Sequence, residues 1–496
     1  MSNDDEKAPS LDVFILTFNA GKARINPSIF ALHLRNAFAQ NATDLPELVV
    51  ICLQEMAPLE HSFIGSYMIN PYFQSWVSAV NLAASPPDDR PRRNQEASRL
   101  GSSDGSEDGS EDRYLDEIRD VPYTLMTTRH AGMTGILLFS RDPSALDNLK
   151  SSEVGFGAGA MGNKGAVGLR MLFSKKDAKG RKRQTELTFV GAHLAAHEWN
   201  LEKRNKNWES IVSGLLFEDP RQFYDGESTL PTAPISGNGD ESQALLSQSP
   251  NEKKLHDITI FKPGSHLFVA GDLNYRISKT SPTPHSVFPL LDPKSPNFYG
   301  RYLALDQLAL EKAAGRTLHG LSEAPIAFPP TYKLDYEIEG KSEAEAQAHR
   351  NGYPRAHDAV AWKWAPHRWP GWCDRVLYLD TPSSIGLGMA INTIAYDTLP
   401  PVRTSDHRAV FLRLSVPVVE PSILVPSPDF CASNSDDPRV KLPYPVDFES
   451  WEQRARVKKW ERVIGWSMLL SHSKQGIAIF MMLFFVGIVA WWLRSR

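Results

Sequence analysis

Val269-Ala-Gly-Asp-Leu-Asn-Tyr-Arg276 is the stretch from which the fold can be read. The apolar run Leu267, Phe268, Val269, Ala270 predicts a buried strand. Gly271 is expected to end it and let the backbone turn. Alternate residues at a strand terminus share a side, so Asp272 and Asn274 aim together at the mouth of a sheet. Tyr275 and Arg276 place a phenol and a cation beside them. A carboxylate, an amide and a cation so grouped suit the activation of a water against a phosphate.

Other apolar runs end the same way. Leu11–Phe18 leads to Asn19, Leu48–Leu53 to Gln54 and Glu55, and Leu187–Ala192 to His193. Asp374 stands just ahead of Val376–Leu379, and Asp406 and His407 stand ahead of Ala409–Leu414. Polar groups from several strand ends make a site at one sheet edge, with loops adding specificity. A hard cation such as Mg²⁺ wants oxygen ligands and few carboxylates, which suits Glu55 with Asn19. Asp272 and Asn274 suit a water, and Asp374 could orient His407.

These segments, in this order, resemble the inositol polyphosphate 5-phosphatases, within the larger fold family that includes DNase I and the abasic-site endonucleases. The matching pieces are Leu53-Gln-Glu55, Gly162-Asn-Lys-Gly-Ala-Val167, His193-Leu-Ala-Ala-His197, Gly271-Asp-Leu-Asn-Tyr-Arg276, Pro330-Thr-Tyr-Lys333, Trp372-Cys-Asp-Arg375 and Ser405-Asp-His-Arg408. The chain departs from the usual pattern at Phe18, Gly371 and Ala409, none of them a candidate reacting group.

The resemblance implies an α/β sandwich of two mixed sheets flanked by helices. It implies that Glu55 and Asn19 bind Mg²⁺, with Asp406 on the metal side. Asp272 would orient or deprotonate the attacking water with Asn274 in support. His407, held by Asp374, and His193 would contact the scissile phosphate. Lys164, Tyr275, Arg276, Tyr332, Lys333, Arg375 and Arg408 would grip ring phosphates, since a poly-phosphorylated ring needs cations and phenols at several angles.

The chain has 496 residues and a net charge of -4, so attraction to nucleic acid is not indicated. Its three cysteines, Cys52, Cys373 and Cys431, show neither metal-ligand spacing nor a disulfide framework. The acidic start carries no signal peptide pattern. Residues 1–10 are expected to be disordered, and 11–415 to form the catalytic domain. Residues 85–113, 226–256 and 337–352 read as polar insertions. Seven prolines mark a linker over 416–450.

Residues 451–475 read as a basic helix with aromatic anchors, suited to a membrane interface. Gly476–Leu493 carries no charge, and 18 residues of helix span roughly 27 Å. That length suits a tail anchor in a thin bilayer, with the endoplasmic reticulum the expected one and the catalytic domain cytosolic. The expected partners are a phosphoinositide head group and the membrane.

Overall fold

The computed structural model describes residues 8–86, 121–223, 250–336, 360, 362–386, 389–472 and 474–495. The insertions expected at 85–113 and 337–352 fall almost wholly outside these, as does most of 226–256.

The chain opens with β1 (Ser10–Asn19), α1 (Pro27–Ala39) and β2 (Leu48–Gln54). Asn26 starts α1 by accepting from the Ser28 amide at 3.0 Å, and Pro27 has no amide to leave unpaired there. Helices α2 (Leu59–Ile64) and α3 (Asn70–Ala84) come next, then β3 (Thr124–Ala131) and β4 (Thr134–Ser140). Strands β5 (Leu146–Gly155), β6 (Gly165–Lys176) and β7 (Lys182–His193) form a meander. Helices α4 (Leu201–Gly214) and α5 (Pro250–Ile258) precede β8 (Ser265–Asp272). After it stand α6 (Gln307–Ala313), β9 (Leu321–Ser322), β10 (Leu334–Tyr336) and β11 (Trp362–Trp364). Strands β12 (Asp374–Leu379), β13 (Asn392–Thr398) and β14 (Val410–Pro417) complete the sheets.

One six-stranded sheet runs β13-β14-β1-β2-β4-β3 and the other β5-β6-β7-β8-β12-β9. Each contains one parallel pair, β1 with β2 and β7 with β8, so both are mixed. Alternation along the strands fills three layers. Val13, Ile15, Val50 and Leu412 face Leu169, Phe189, Phe268 and Val376 between the sheets. Phe14, Leu16, Val49 and Ile51 turn outward against Phe30, Leu34 and Trp76 of α1 and α3. On the other outer face, Val190, Leu267, Val269 and Leu377 meet Trp208, Ile211 and Val212 of α4. The expected two-sheet sandwich flanked by helices is the fold observed.

Gly271 does not turn the chain. It lies within β8, its φ is not positive, and it sits opposite Ala192 of β7. A Cβ there would stand 2.0 Å from the Ala192 carbonyl oxygen. The position demands glycine because two backbones meet. Gly271→Ala is therefore expected to destabilise the fold by about 3 kcal/mol, the upper end for overpacking, in a urea titration. A loss below about 1 kcal/mol would mean that β7 and β8 can separate cheaply.

Several boundaries depart from expectation. Ser10 already pairs with Pro417, and the Val418 amide donates to the Pro9 carbonyl at 2.7 Å, so order begins ahead of residue 11. Residues 250–256, expected within an insertion, belong to α5, whose Leu255 and Ile258 pack with Leu216. Residues 416–450 are not a free linker. They contain α7 (Pro421–Leu424) and α8 (Pro428–Ser433), and Val418, Val419, Leu424 and Val440 are buried. Two buried histidines bind this strap by its carbonyls, His266 at Pro417 (3.1 Å) and His256 at Pro438 (2.9 Å).

The expected interface helix is α9 (Ser450–His472), and it packs on the domain. Its Gly465 is seated on α2, where a Cβ would lie 2.9 Å from Phe63. The expected span corresponds to α10 (Lys474–Arg494). Among the described residues no helix is long and apolar enough to cross a membrane.

Candidate active site

The strand register builds the centre of the site. In the second sheet His193 of β7 lies opposite Asp272 of β8, and Asp272 lies opposite Asp374 of β12. Three polar side chains thus stand in a row at one sheet edge. The first sheet delivers Asn19 and, one residue past β2, Glu55 to the same end. His407 arrives from the turn before β14.

Asp272 is the hub. Its Oδ2 accepts from the Asn19 amide at 3.0 Å and lies 3.2 Å from His193 Nε2 and 3.9 Å from His407 Nε2. Burial alone would raise its pKa. The charge of His407, then the bond from His193 and the charge of Lys164, hold it far below the usual carboxylate range. His407 Nδ1 meets Asp374 Oδ2 at 2.8 Å, and Asp374 also accepts from the Thr331 hydroxyl at 2.7 Å. Burial opposes the charge on His407, but Asp374 and Asp272 override it and raise the imidazole to about 9. His193 is pushed the other way, down, by burial and by Lys164.

Lys164 links the two sheets. Its Nζ contacts His193 Nε2 and lies 3.9 Å from Glu55 Oε1. Burial lowers its pKa, against the pull of Asp272 and Glu55. Glu55 and Asp272 thus flank one lysine. The Glu55 backbone adopts φ 44, a conformation that bulky residues take only where the surroundings impose it.

Asp272, Asp374 and His407 offer atoms within 4.8 Å of one another, close enough to share an ion. The bond from His407 Nδ1 to Asp374 favours an orienting pair there instead. Glu55 is a better fit for a hard cation. Its oxygens stand 3.7 Å from Lys22 and 3.9 Å from Lys164, beyond hydrogen-bond reach, and its side chain is 28% exposed. With the Asn19 amide on the neighbouring strand end, the donors are all oxygen. The carboxylate of Asp406, expected on the metal side, is engaged by Lys333.

Asn274, expected to support Asp272, donates its backbone amide to Asp272 Oδ1 at 3.1 Å, and the expected phosphate-gripping residues divide. Asn274, at φ 57, donates to the Leu194 carbonyl at 3.2 Å and accepts from Arg276 through its Oδ1. Arg276 lies over the Tyr332 ring at 4.2 Å, and that ring is 4.7 Å from His407. Lys333 Nζ lies 5.4 Å from the same ring, so Arg276, Tyr332 and Lys333 adjoin His407. Tyr275 does not. It is fully buried, and its hydroxyl bonds Asn205 and Thr317, each at 2.8 Å. Arg375 is also withdrawn, paired with Asp306 at 2.9 Å and Glu323 at 2.6 Å. Arg375 follows Asp374 within β12, where successive strand side chains point to opposite faces, whereas Tyr275 lies past the end of β8, after the left-handed turn at Asn274. Arg408 is stacked over Trp362 at 4.4 Å, and burial lowers its pKa to about 10.

Sequence reasoning gave no role to Thr331 or Ser405. Ser405 Oγ donates to the Asn19 carbonyl at 2.5 Å and accepts from the His407 amide at 3.1 Å, so it ties two strand ends together. Both residues lie inside the motifs Pro-Thr-Tyr-Lys and Ser-Asp-His-Arg, which was the available signal.

Known proteins share parts of this chain. It is 30% identical over 278 residues to type II inositol polyphosphate 5-phosphatase 14 of Arabidopsis thaliana, covering 52% of this chain and 20% of that protein. It is 27% identical over 284 residues to the type II inositol 1,4,5-trisphosphate 5-phosphatase of Mus musculus, covering 57% of this chain and 21% of that one. The chain thus spans about a fifth of the length of these curated relatives. Among solved structures, the inositol polyphosphate 5-phosphatase domain of SPSynaptojanin, in complex with inositol (1,4)-bisphosphate and calcium ion, aligns over 94% of both chains, with 18% identity and a TM-score of 0.48. The description endonuclease/exonuclease/phosphatase family 2 matches residues 16–413, and the chain belongs to that family.

Proposed function

We propose that the chain is a Mg²⁺-dependent phosphatase that removes the 5-phosphate of phosphatidylinositol 4,5-bisphosphate, and of the 3,4,5-trisphosphate lipid, at a cytosolic membrane face. The observation that carries this reading is a buried carboxylate, Asp272, gathered with two histidines and an amide at the convergent strand ends. The names of the similar proteins support the substrate class. The apolar C-terminal segment is the reason to favour lipid over soluble substrate, since tethering raises effective concentration at a surface. The endoplasmic reticulum remains the proposed membrane.

Glu55 and Asn19 would hold the ion, which when bound supplies positive charge to the phosphoryl oxygens. The remaining roles fall to the chain's own groups. Asp272, held anionic by the groups around it, accepts a hydrogen bond from the attacking water and orients or deprotonates it. His407, protonated and fixed by Asp374, donates to a phosphoryl oxygen as charge builds there. Lys164 adds a second cation beside His193 and Glu55. Arg276, Tyr332 and Lys333 offer contacts to the remaining ring phosphates.

Phosphate release from the 4,5-bisphosphate lipid in vesicles and from soluble inositol 1,4,5-trisphosphate, measured side by side, tests the substrate. Turnover of the soluble compound alone would end the lipid assignment. Nicking of plasmid DNA would revive a nuclease reading.

The protonation of His407 gives a pH dependence with a definite sign. Its pKa is raised, so the proton is present at neutral pH and is lost as pH rises through about 9. Turnover is expected to fall along that alkaline limb. Asp374→Asn removes the partner carboxylate and should move the limb down by about one unit or more. A limb that stays in place would belong to another group.

A further inference from the structure

Helix α9 reaches the active site from behind. The segment between β5 and β6, Phe156-Gly-Ala-Gly-Ala-Met-Gly-Asn-Lys164, ends at the lysine that meets His193 and Glu55. It is folded on itself by bonds from the Phe156 amide to the Lys164 carbonyl and from the Gly157 amide to the Met161 carbonyl, each 2.8 Å. Its outer side is fixed at Gly162. The Gly162 carbonyl accepts from the Met133 amide at 2.9 Å. The Gly162 amide donates to Glu461 Oε1 of α9 at 2.6 Å, across 299 residues of sequence.

Glu461 is buried, at 3% exposure. Arg454, about two turns earlier on the same helix, holds both its oxygens at 2.9 and 3.0 Å, and Glu153 of β5 anchors Arg454 (3.3 Å) and Lys458 (2.7 Å). The carboxylate is therefore aimed before it meets the amide. A carboxylate accepting from a backbone N–H makes a short, charge-assisted bond. The same helix seats Gly465 against α2, 3.0 Å from the Glu60 carbonyl for an added Cβ, and α2 begins four residues after Glu55. One rigid helix thus backs both segments that carry the Lys164–Glu55 pair.

We propose that Glu461 is a positioning residue that holds Gly162, and through it Lys164, in the geometry needed for turnover. The proposal rests on the phosphatase reading above. It makes the C-terminal helix part of the working enzyme, so that residues 450–472 do more than connect the catalytic domain to the apolar segment beyond residue 473.

Two near-isosteric substitutions separate positioning from plain ion pairing. Glu461→Asp keeps the charge for Arg454 but is one methylene too short for Gly162. Glu461→Gln keeps the acceptor at the right reach and gives up the charge. With the full chain and soluble inositol 1,4,5-trisphosphate, Glu461→Asp is expected to lower kcat about tenfold with KM little changed, and Glu461→Gln to retain most of kcat. The Lys164→Ala/Glu461→Asp pair should be no slower than Lys164→Ala alone, since both act on one group. The opposite order of Asp and Gln, or losses that multiply, would overturn the proposal. The unsubstituted chain run in parallel distinguishes the failures: no phosphate release from it sinks the phosphatase reading, whereas an active unsubstituted chain with multiplying losses sinks the role of Glu461 alone.

Discussion

Replacing Asp272 with asparagine is expected to lower kcat by about 10³-fold or more while KM stays nearly unchanged. The substitution preserves shape and leaves an oxygen for the Asn19 amide, so the fold should persist. What disappears is the fixed negative charge that orients water and sustains the proton on His407. The alkaline limb of the residual activity should therefore move to lower pH as well. Phosphate release at saturating inositol 1,4,5-trisphosphate measures the first effect, and circular dichroism checks the fold. Retention of more than about a tenth of turnover would exclude Asp272 from the chemistry, because loss of a positioned acid or base costs at least 10²-fold.

The second large effect concerns stability. Arg375→Met is expected to destabilise the protein by about 3–5 kcal/mol, the usual result of removing one partner of a buried ion pair. Arg375 has a side chain only 3% exposed and lies between buried Asp306 and partly buried Glu323, which would both lose their counter-charge. Urea unfolding gives the measurement. KM for the inositol substrate should not rise in whatever fraction stays folded. A raised KM with unchanged stability would restore Arg375 to the substrate site, where the sequence motif had placed it.

That reversal shows where motif reading stopped. Trp-Cys-Asp-Arg put Asp374 and Arg375 side by side as candidates for one site. The strand turns them to opposite faces, one to His407 and one to Glu323. Tyr275 is turned away by the left-handed backbone of Asn274 just past β8, and its partners Asn205 and Thr317 come from elements far away in sequence. Asp406 pairs with Lys333, a residue that had itself been assigned to substrate. Positions were legible in these cases, and directions and partners were not.

The C-terminal region repeats the pattern on a larger scale. Seven prolines and scattered polar residues made 416–450 read as a free connection. Isolated apolar residues such as Val418, Leu424 and Val440 have no periodicity, so nothing in the string announced that they would be buried. The basic character of α9 suggested a lipid-facing helix; its Arg454 and Lys458 pair with Glu153 of the domain, while Trp460, Val463 and Trp466 stay exposed.

By itself the sequence determined the buried strands and the set of strand ends from which a site could be assembled, and its resemblance to the 5-phosphatases implied the two-sheet sandwich. Unbroken apolar runs must be covered on both faces, and a polar residue that halts such a run must surface at its end. Only the tertiary structure decided which of those polar groups share the cleft with Asp272, which are spent on buried ion pairs, and that a helix 299 residues downstream of Gly162 props the Lys164 segment. Those outcomes depend on side-chain direction and on contacts between distant segments, and a linear pattern of residue types encodes neither until the chain has packed.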